Sequence, residues 1–314
     1  MSSSTSSSKD APSSDNGNAN QVRPWSILLF FLLALAAWEG AIRAGLVPAS
    51  HGIHQREDNL IRAESYLKRP EGADQVYLGS SLTVRLPTTD LGTRAFNLAF
   101  AGEGVFTGLA IVERDLRKPR TICVEMGHTL IRPESDELVA SLFGPEGVVR
   151  QYLSCMERRY QPVSVLTAAY SRYRDSLAGP AKPVSPKTQA MRDARLAKAV
   201  AAAGERYKAP LDEKRGTAIK AAALSLRERL KILRTAGNCV VLYRLPSSEP
   251  ADAGHFHQDV QRIYDEVFPQ AEWFWVMPPK DQAWTTSDGE HLDEPSAKRM
   301  AAFLQESAQA LESR

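Results

Sequence analysis

Two short stretches carry residues that could do chemistry together. The first is VYLGSSLT, residues 76–83, where a strand-like apolar run meets a glycine and two adjacent serines. A serine hydroxyl at such a turn is a weak nucleophile until a base takes its proton. The second is SDGEHLDEPSAKRM, residues 287–300, in which Asp288 precedes His291 by three positions with Gly289 between them. A carboxylate three residues back on a turn reaches the imidazole Nδ1–H and leaves Nε2 to face a hydroxyl. Ser81, His291 and Asp288 are therefore the candidate nucleophile, general base and orienting acid. Each stretch also has an ordinary reading. Gly and Ser punctuate strand-to-loop turns, and acids ahead of a helix complement its dipole. Asp293 and Glu294 already supply that second role, which leaves Asp288 and His291 less explained by it.

The other reactive residue types are less organised. His255 and His257 flank Phe256 in an H-x-H pattern, but no carboxylate of clear geometry accompanies them, and two histidines underdetermine a metal site. Cys123, Cys155 and Cys239 lie far apart without metal spacing. Their odd number and the lack of a disulfide framework argue against a Cys123–Cys239 bridge, and both sit in apolar runs that read as core. No cofactor and no metal are expected.

The segments that must position Ser81 and His291 alternate between strand and helix. Strand candidates are 74–79 (DQVYLG), 94–100 (RAFNLAF), 121–127 (TICVEMG), 238–246 (NCVVLYRLP) and 271–278 (AEWFWVMP). Helical spacing marks 55–69, the run after Gly104, and 295–312, where Pro295 falls in a first turn that has no need of its N–H. Such alternation predicts an α/β domain over 74–312 with a central parallel sheet covered on both faces. Ser81 then lies at the carboxyl end of the first strand, where ligands of open parallel sheets bind. Between 134 and 235 the alternation breaks. An Ala-, Lys-, Arg- and Glu-rich stretch there reads as helices split near Lys208–Pro210, their mixed charges forming a solvated face. This is a helical insertion before the fourth strand.

Residues 1–22 are dominated by Ser, Asn, Asp and Gly and read as a disordered tail. Residues 24–45 reach the length of a membrane span if Glu39 and Arg43, four apart on a helix, sit at the interface with Trp25 and Trp38. The alternative is a cleaved signal peptide ending near ALA at 34–36. The long, weakly basic region ahead of it favours an uncleaved anchor instead. Basic residues on the two sides do not decide its orientation. A connecting region and helix, 46–73, then lead to the domain. With 43% hydrophobic and 24% charged residues the chain can bury a sizeable core. A formal charge of +2, without basic and aromatic residues interleaved, speaks against nucleic acid as a partner.

Taken together, YLGSSLT, NLAFAGEG and DGEHLD resemble, in order, three of the four sequence blocks of the SGNH (GDSL-like) hydrolase superfamily. The resemblance implies a flavodoxin-like three-layer sandwich, with Ser81 as nucleophile and Ser80 where the family has an aspartate. It also implies an Asp288–His291 relay and an oxyanion hole built from the Ser81 and Gly102 N–H groups. The family's Gly-x-Asn-Asp block is not matched: EMGHTL stands there, so His128 or Thr129 must replace the asparagine donor, or that stretch is an ordinary loop. Losing such a donor costs about 100- to 1,000-fold in rate. With the anchor, the pattern is similar to membrane-anchored, extracytoplasmic members that modify bacterial surface polysaccharides. That similarity implies an O-acetyltransferase or O-acetylesterase with a polysaccharide or other hydroxyl acceptor, working beside a membrane acyl-donor protein. A catalytically inactive binding or assembly protein and a lipid esterase are the alternatives.

Overall fold

A computed structural model describes residues 24–50, 52, 54–69, 71–92, 94–178, 185–279 and 281–312. The tail over 1–22 lies outside the described residues. The sheet has five strands, β1 (Gln75–Leu78), β2 (Ala95–Asn97), β3 (Thr121–Glu125), β4 (Cys239–Tyr243) and β5 (Phe274–Val276). They run parallel in the order β2-β1-β3-β4-β5. Alternate side chains of the central strands divide between two cores. Val76, Leu78, Ile122, Val124, Val240 and Leu242 enter one, and Tyr77, Cys123, Val241 and Tyr243 the other. Burial on both faces is why these strands read as unbroken apolar runs rather than as alternating ones. β2 is shorter than its sequence signal, and at its end the Asn97 side-chain amide donates to the Thr83 and Leu86 carbonyls, at 2.7 and 3.0 Å. Cys123 and Cys239 stand on neighbouring strands but out of register, Cys239 opposite Thr121 and Cys123 opposite Val241.

Among the described residues the helices are, in chain order, α1 (Pro24–Arg43), α2 (Gln55–Leu67), α3 (Ser81–Val84) and α4 (Val105–Arg114). There follow α5 (Asp136–Phe143), α6 (Pro145–Tyr152), α7 (Pro162–Ala178), α8 (Pro186–Lys208) and α9 (Glu213–Thr235), then α10 (Glu249–Asp252), α11 (His255–Val267) and α12 (Glu294–Glu312). α2, α4, α9 and α11 contribute to the first core and α12 to the second. α9 revises the expected insertion over 134–235. Its Ile219, Ala223, Leu226, Leu230 and Leu233 recur every three or four residues and are buried, so α9 is the crossover helix that feeds β4. The chain between β3 and that crossover, α5 to α8, is what is added.

α1 is long and apolar enough to cross a membrane. It ends at Arg43, and Gly45, at φ +72°, stops it: the Gly45 and Leu46 N–H groups return to the Ile42 and Ala41 carbonyls. Glu39 and Arg43 pair at 2.6 Å. The end of α1 also docks on the domain, with Trp38 Nε1 donating to the Tyr160 carbonyl at 3.1 Å and Glu39 accepting the Cys155 N–H at 2.7 Å.

Candidate active site

Ser81 opens α3, one residue beyond the β1 turn. Ser80 caps this short helix, accepting the Leu82 N–H at 3.3 Å. Its hydroxyl donates in turn to Glu125 Oε1 at 2.8 Å, and its N–H to Glu125 Oε2 at 2.8 Å. The Thr83 hydroxyl donates to Glu125 Oε2 at 2.6 Å. The Tyr243 hydroxyl lies 2.6 Å from Thr83 Oγ1 and 3.3 Å from the Leu78 carbonyl. One fully buried carboxyl from the end of β3 thus gathers the residues on either side of Ser81. Gly79 is required here for space, not for an unusual φ: a Cβ at that position would strike Glu125 and Thr83.

His291 reaches Ser81 from the loop ahead of α12. Its Nε2 lies 3.0 Å from Ser81 Oγ, and its Nδ1 lies 2.8 Å from Asp288 Oδ2. Asp288 Oδ1 accepts the His291 and Glu290 N–H groups at 2.8 and 3.1 Å, so the carboxylate holds both the imidazole and the backbone beneath it. Partial burial raises the Asp288 pKa, but donation from the two N–H groups and the imidazole outweighs it. The net result lies below the ordinary carboxylate value. Gly289, at φ +93°, makes the turn and sits against Ala199, Val200 and Ala203 of α8, where a side chain would not fit. The Thr286–Leu292 bridge and the Ser287 N–H to His291 carbonyl bond close the loop. Capping of α12 falls to Asp293, which accepts the Ser296 N–H at 2.9 Å, leaving Asp288 to the histidine.

Besides the Ser81 N–H, the three other oxyanion candidates are placed differently. Gly102 adopts φ +79° in the turn after β2, beside Gln55, which with Asn59 holds the preceding Ala101 carbonyl. Among the described residues none of Gly102, His128 and Thr129 hydrogen-bonds to Ser81 or His291. His128 packs on Tyr207, Phe256 and His257 and lines the same cleft as Leu82 and Glu290, the neighbours of the serine and the histidine. Thr129 is buried and does not line that cleft. The cleft contains a cavity of about 30 Å³, room for one or two water-sized groups. Burial depresses His128 to about 4, and burial with Arg244 nearby does the same to His257, so both rings are neutral at pH 7. Arg244 pairs with Asp252 at 2.8 Å on the same wall.

Sequence reasoning missed Glu125, Tyr207 and Arg244. A signal existed for Glu125: an acid closing an otherwise apolar central strand must find donors when buried. Tyr207 and Arg244 carried none, because α8 reads as a solvated helix and Arg244 as the residue after a strand. Among the described residues no three His, Cys, Asp or Glu side chains cluster to hold a metal ion. Compared with known proteins, the chain matches no family model, no curated protein and no solved structure.

Proposed function

We propose that the protein is a membrane-anchored, serine-dependent acyl-transfer enzyme of the SGNH type. The observation that carries this reading is the continuous Ser81–His291–Asp288 relay at the carboxyl end of a parallel sheet. The strand order β2-β1-β3-β4-β5, with both faces covered, supports the flavodoxin-like three-layer assignment. In the reaction, Ser81 Oγ attacks an ester carbonyl while His291 Nε2 takes its proton. Asp288 holds the imidazole in the required tautomer and offsets its charge. His291 then returns the proton to the leaving alcohol, giving an acyl-Ser81 enzyme. A second hydroxyl, deprotonated by His291, attacks that ester and restores the serine. The Ser81 N–H, in the first turn of α3, and the Gly102 N–H are the oxyanion donors, with His128 as the side chain nearest in role to the absent asparagine.

The acceptor class is a cell-surface polysaccharide hydroxyl, with water as the competing acceptor. In this reading α1 is the anchor, and the extracytoplasmic side, beside a membrane acyl donor, is what the family resemblance implies for the domain. The test uses the full chain in detergent with 4-nitrophenyl acetate, with and without oligosaccharide acceptors, and follows acyl transfer by mass spectrometry. Wild type should release nitrophenol and acetylate both Ser81 and an acceptor, and Ser81→Ala should do neither. Equal turnover by wild type and Ser81→Ala would sink the enzyme reading in favour of a binding or assembly protein.

A further inference from the structure

Helix α7 places its apolar side chains on the wrong face for a helix packed on a core. Ser164 and Val165 are buried, Ala168 and Ser171 are half-buried, and Ser164 Oγ donates to Glu57 at 2.9 Å, which fixes the side turned towards the domain. Val163, Leu166, Tyr170, Tyr173 and Leu177 recur every three or four residues on the opposite side and are 62–70% exposed. A stripe of this width normally faces a core or a partner.

The end of α1 indicates what covers it. Twenty residues at about 1.5 Å each make a helix of about 30 Å, the thickness of a bilayer's hydrocarbon layer. If α1 spans that layer, Trp38 and Glu39 lie within its last two turns, at the lipid boundary. The domain touches α1 at those residues and at Arg43: Tyr160 through Trp38, Cys155 through Glu39, and Tyr152 through Arg43. α7 begins two residues after Tyr160. The surface around this contact is apolar too, with Leu46, Val149, Tyr152 and Met156 exposed. Exposed apolar residues therefore occur both at the foot of the span and along α7, which follows two residues after the contact with Trp38. Tyrosines with aliphatic residues are the types that settle at a headgroup boundary.

We infer that α7 is an interfacial helix, lying in the bilayer surface with Val163, Leu166, Tyr170, Tyr173 and Leu177 towards the acyl chains. Together with α1 it gives the domain two points of attachment and so a fixed tilt over the membrane. The inference rests on α1 as a membrane span, and the experiment separates the two. In the full chain carrying Cys239→Ser, nitroxide labels are attached at Leu166→Cys, Tyr170→Cys and Tyr173→Cys, with Asp175→Cys on the far face and Leu32→Cys within α1. Each protein is reconstituted in phosphatidylcholine–phosphatidylglycerol vesicles, and the collision rates of the label with oxygen and with a water-soluble nickel chelate are compared. All labelled positions of α7 are exposed, so folding should survive them. The expected result is an oxygen-to-nickel ratio several-fold higher at 166, 170 and 173 than at 175, with Leu32→Cys higher still. Nickel access at all four α7 positions, with Leu32→Cys in lipid, overturns the inference and leaves the anchor intact. Shielding of 166, 170 and 173 from both reagents identifies a protein on the stripe and overturns it equally. Nickel access at Leu32→Cys overturns the anchor and with it the inference.

Discussion

Asp288 offers one carboxylate oxygen to the His291 ring and the other to the backbone of His291 and Glu290, so its removal does two things. Asp288→Asn keeps the size of the side chain but presents a neutral amide where the imidazole needs an acceptor and a compensating charge. If the Ser81 relay is catalytic, Asp288→Asn should lower kcat on 4-nitrophenyl acetate by about 10³- to 10⁴-fold with little change in KM. Glu125 acts one layer further from the substrate. It accepts from the Ser80 N–H and from two hydroxyls, and it is almost wholly buried. Glu125→Gln exchanges one acceptor oxygen for an NH₂ group that faces donors. Urea denaturation should show a loss of about 1–3 kcal/mol, the cost of a buried mismatched polar group. Thr83→Val removes one of the three donors and should cost less than Glu125→Gln.

The elements that carry the site are the β1–α3 turn and the loop before α12, and both depend on a glycine. At Gly79 the constraint is contact, and Gly79→Ala drives a methyl group into Glu125 and Thr83. Overpacking of this kind costs about 1–3 kcal/mol and shifts backbone. Gly79→Ala should therefore lower both the melting temperature and the rate of Ser81 acylation, read by fluorophosphonate labelling at a temperature where the variant remains folded. Gly79→Ala with unchanged labelling would show that Glu125 does not position the serine. At Gly289 the constraint is double: a positive φ and the packing of α8. α8 is thereby tied to the histidine loop, and Arg206 adds an ion pair to Glu290. Of the added helices, α8 thus forms one wall of the cleft through Tyr207.

Across the whole molecule, the two neutral histidines set how stability responds to acid. Each is held near 4 in the fold against an ordinary value of 6.5, so the unfolded chain binds more protons between those limits. The contribution of these two groups to stability falls as pH drops from about 6.5 and stops changing below about 4. Asp288, held low in the fold, adds a further loss only as pH falls through the carboxylate range. Melting temperatures across pH 7 to 4 should decline for wild type and decline less for a His128→Gln, His257→Gln protein compared with its own value at pH 7. Equal slopes would show that these rings are not buried neutral.

Local pattern was enough to determine much of this protein. Apolar runs bounded by Gly and Pro marked all five strands, and most clearly the three central ones, because a strand buried on both faces has no polar alternation to hide it. The apolar length of α1 and the Glu39–Arg43 spacing were equally local, and so was the Asp288–His291 turn, whose geometry is set within four residues. Tertiary structure decided what local pattern could not. Ser81 meets His291 across 210 positions only because β1 and the loop before α12 end on the same edge of the sheet. Glu125 lies beneath Ser80 because β1 and β3 are neighbours, a pairing that no spacing along the chain records. α9 looked like solvated insertion because its charges are abundant, yet its apolar stripe closes the core. Burial belongs to the partner surface as much as to the residue, and a single chain of letters does not state which surfaces meet.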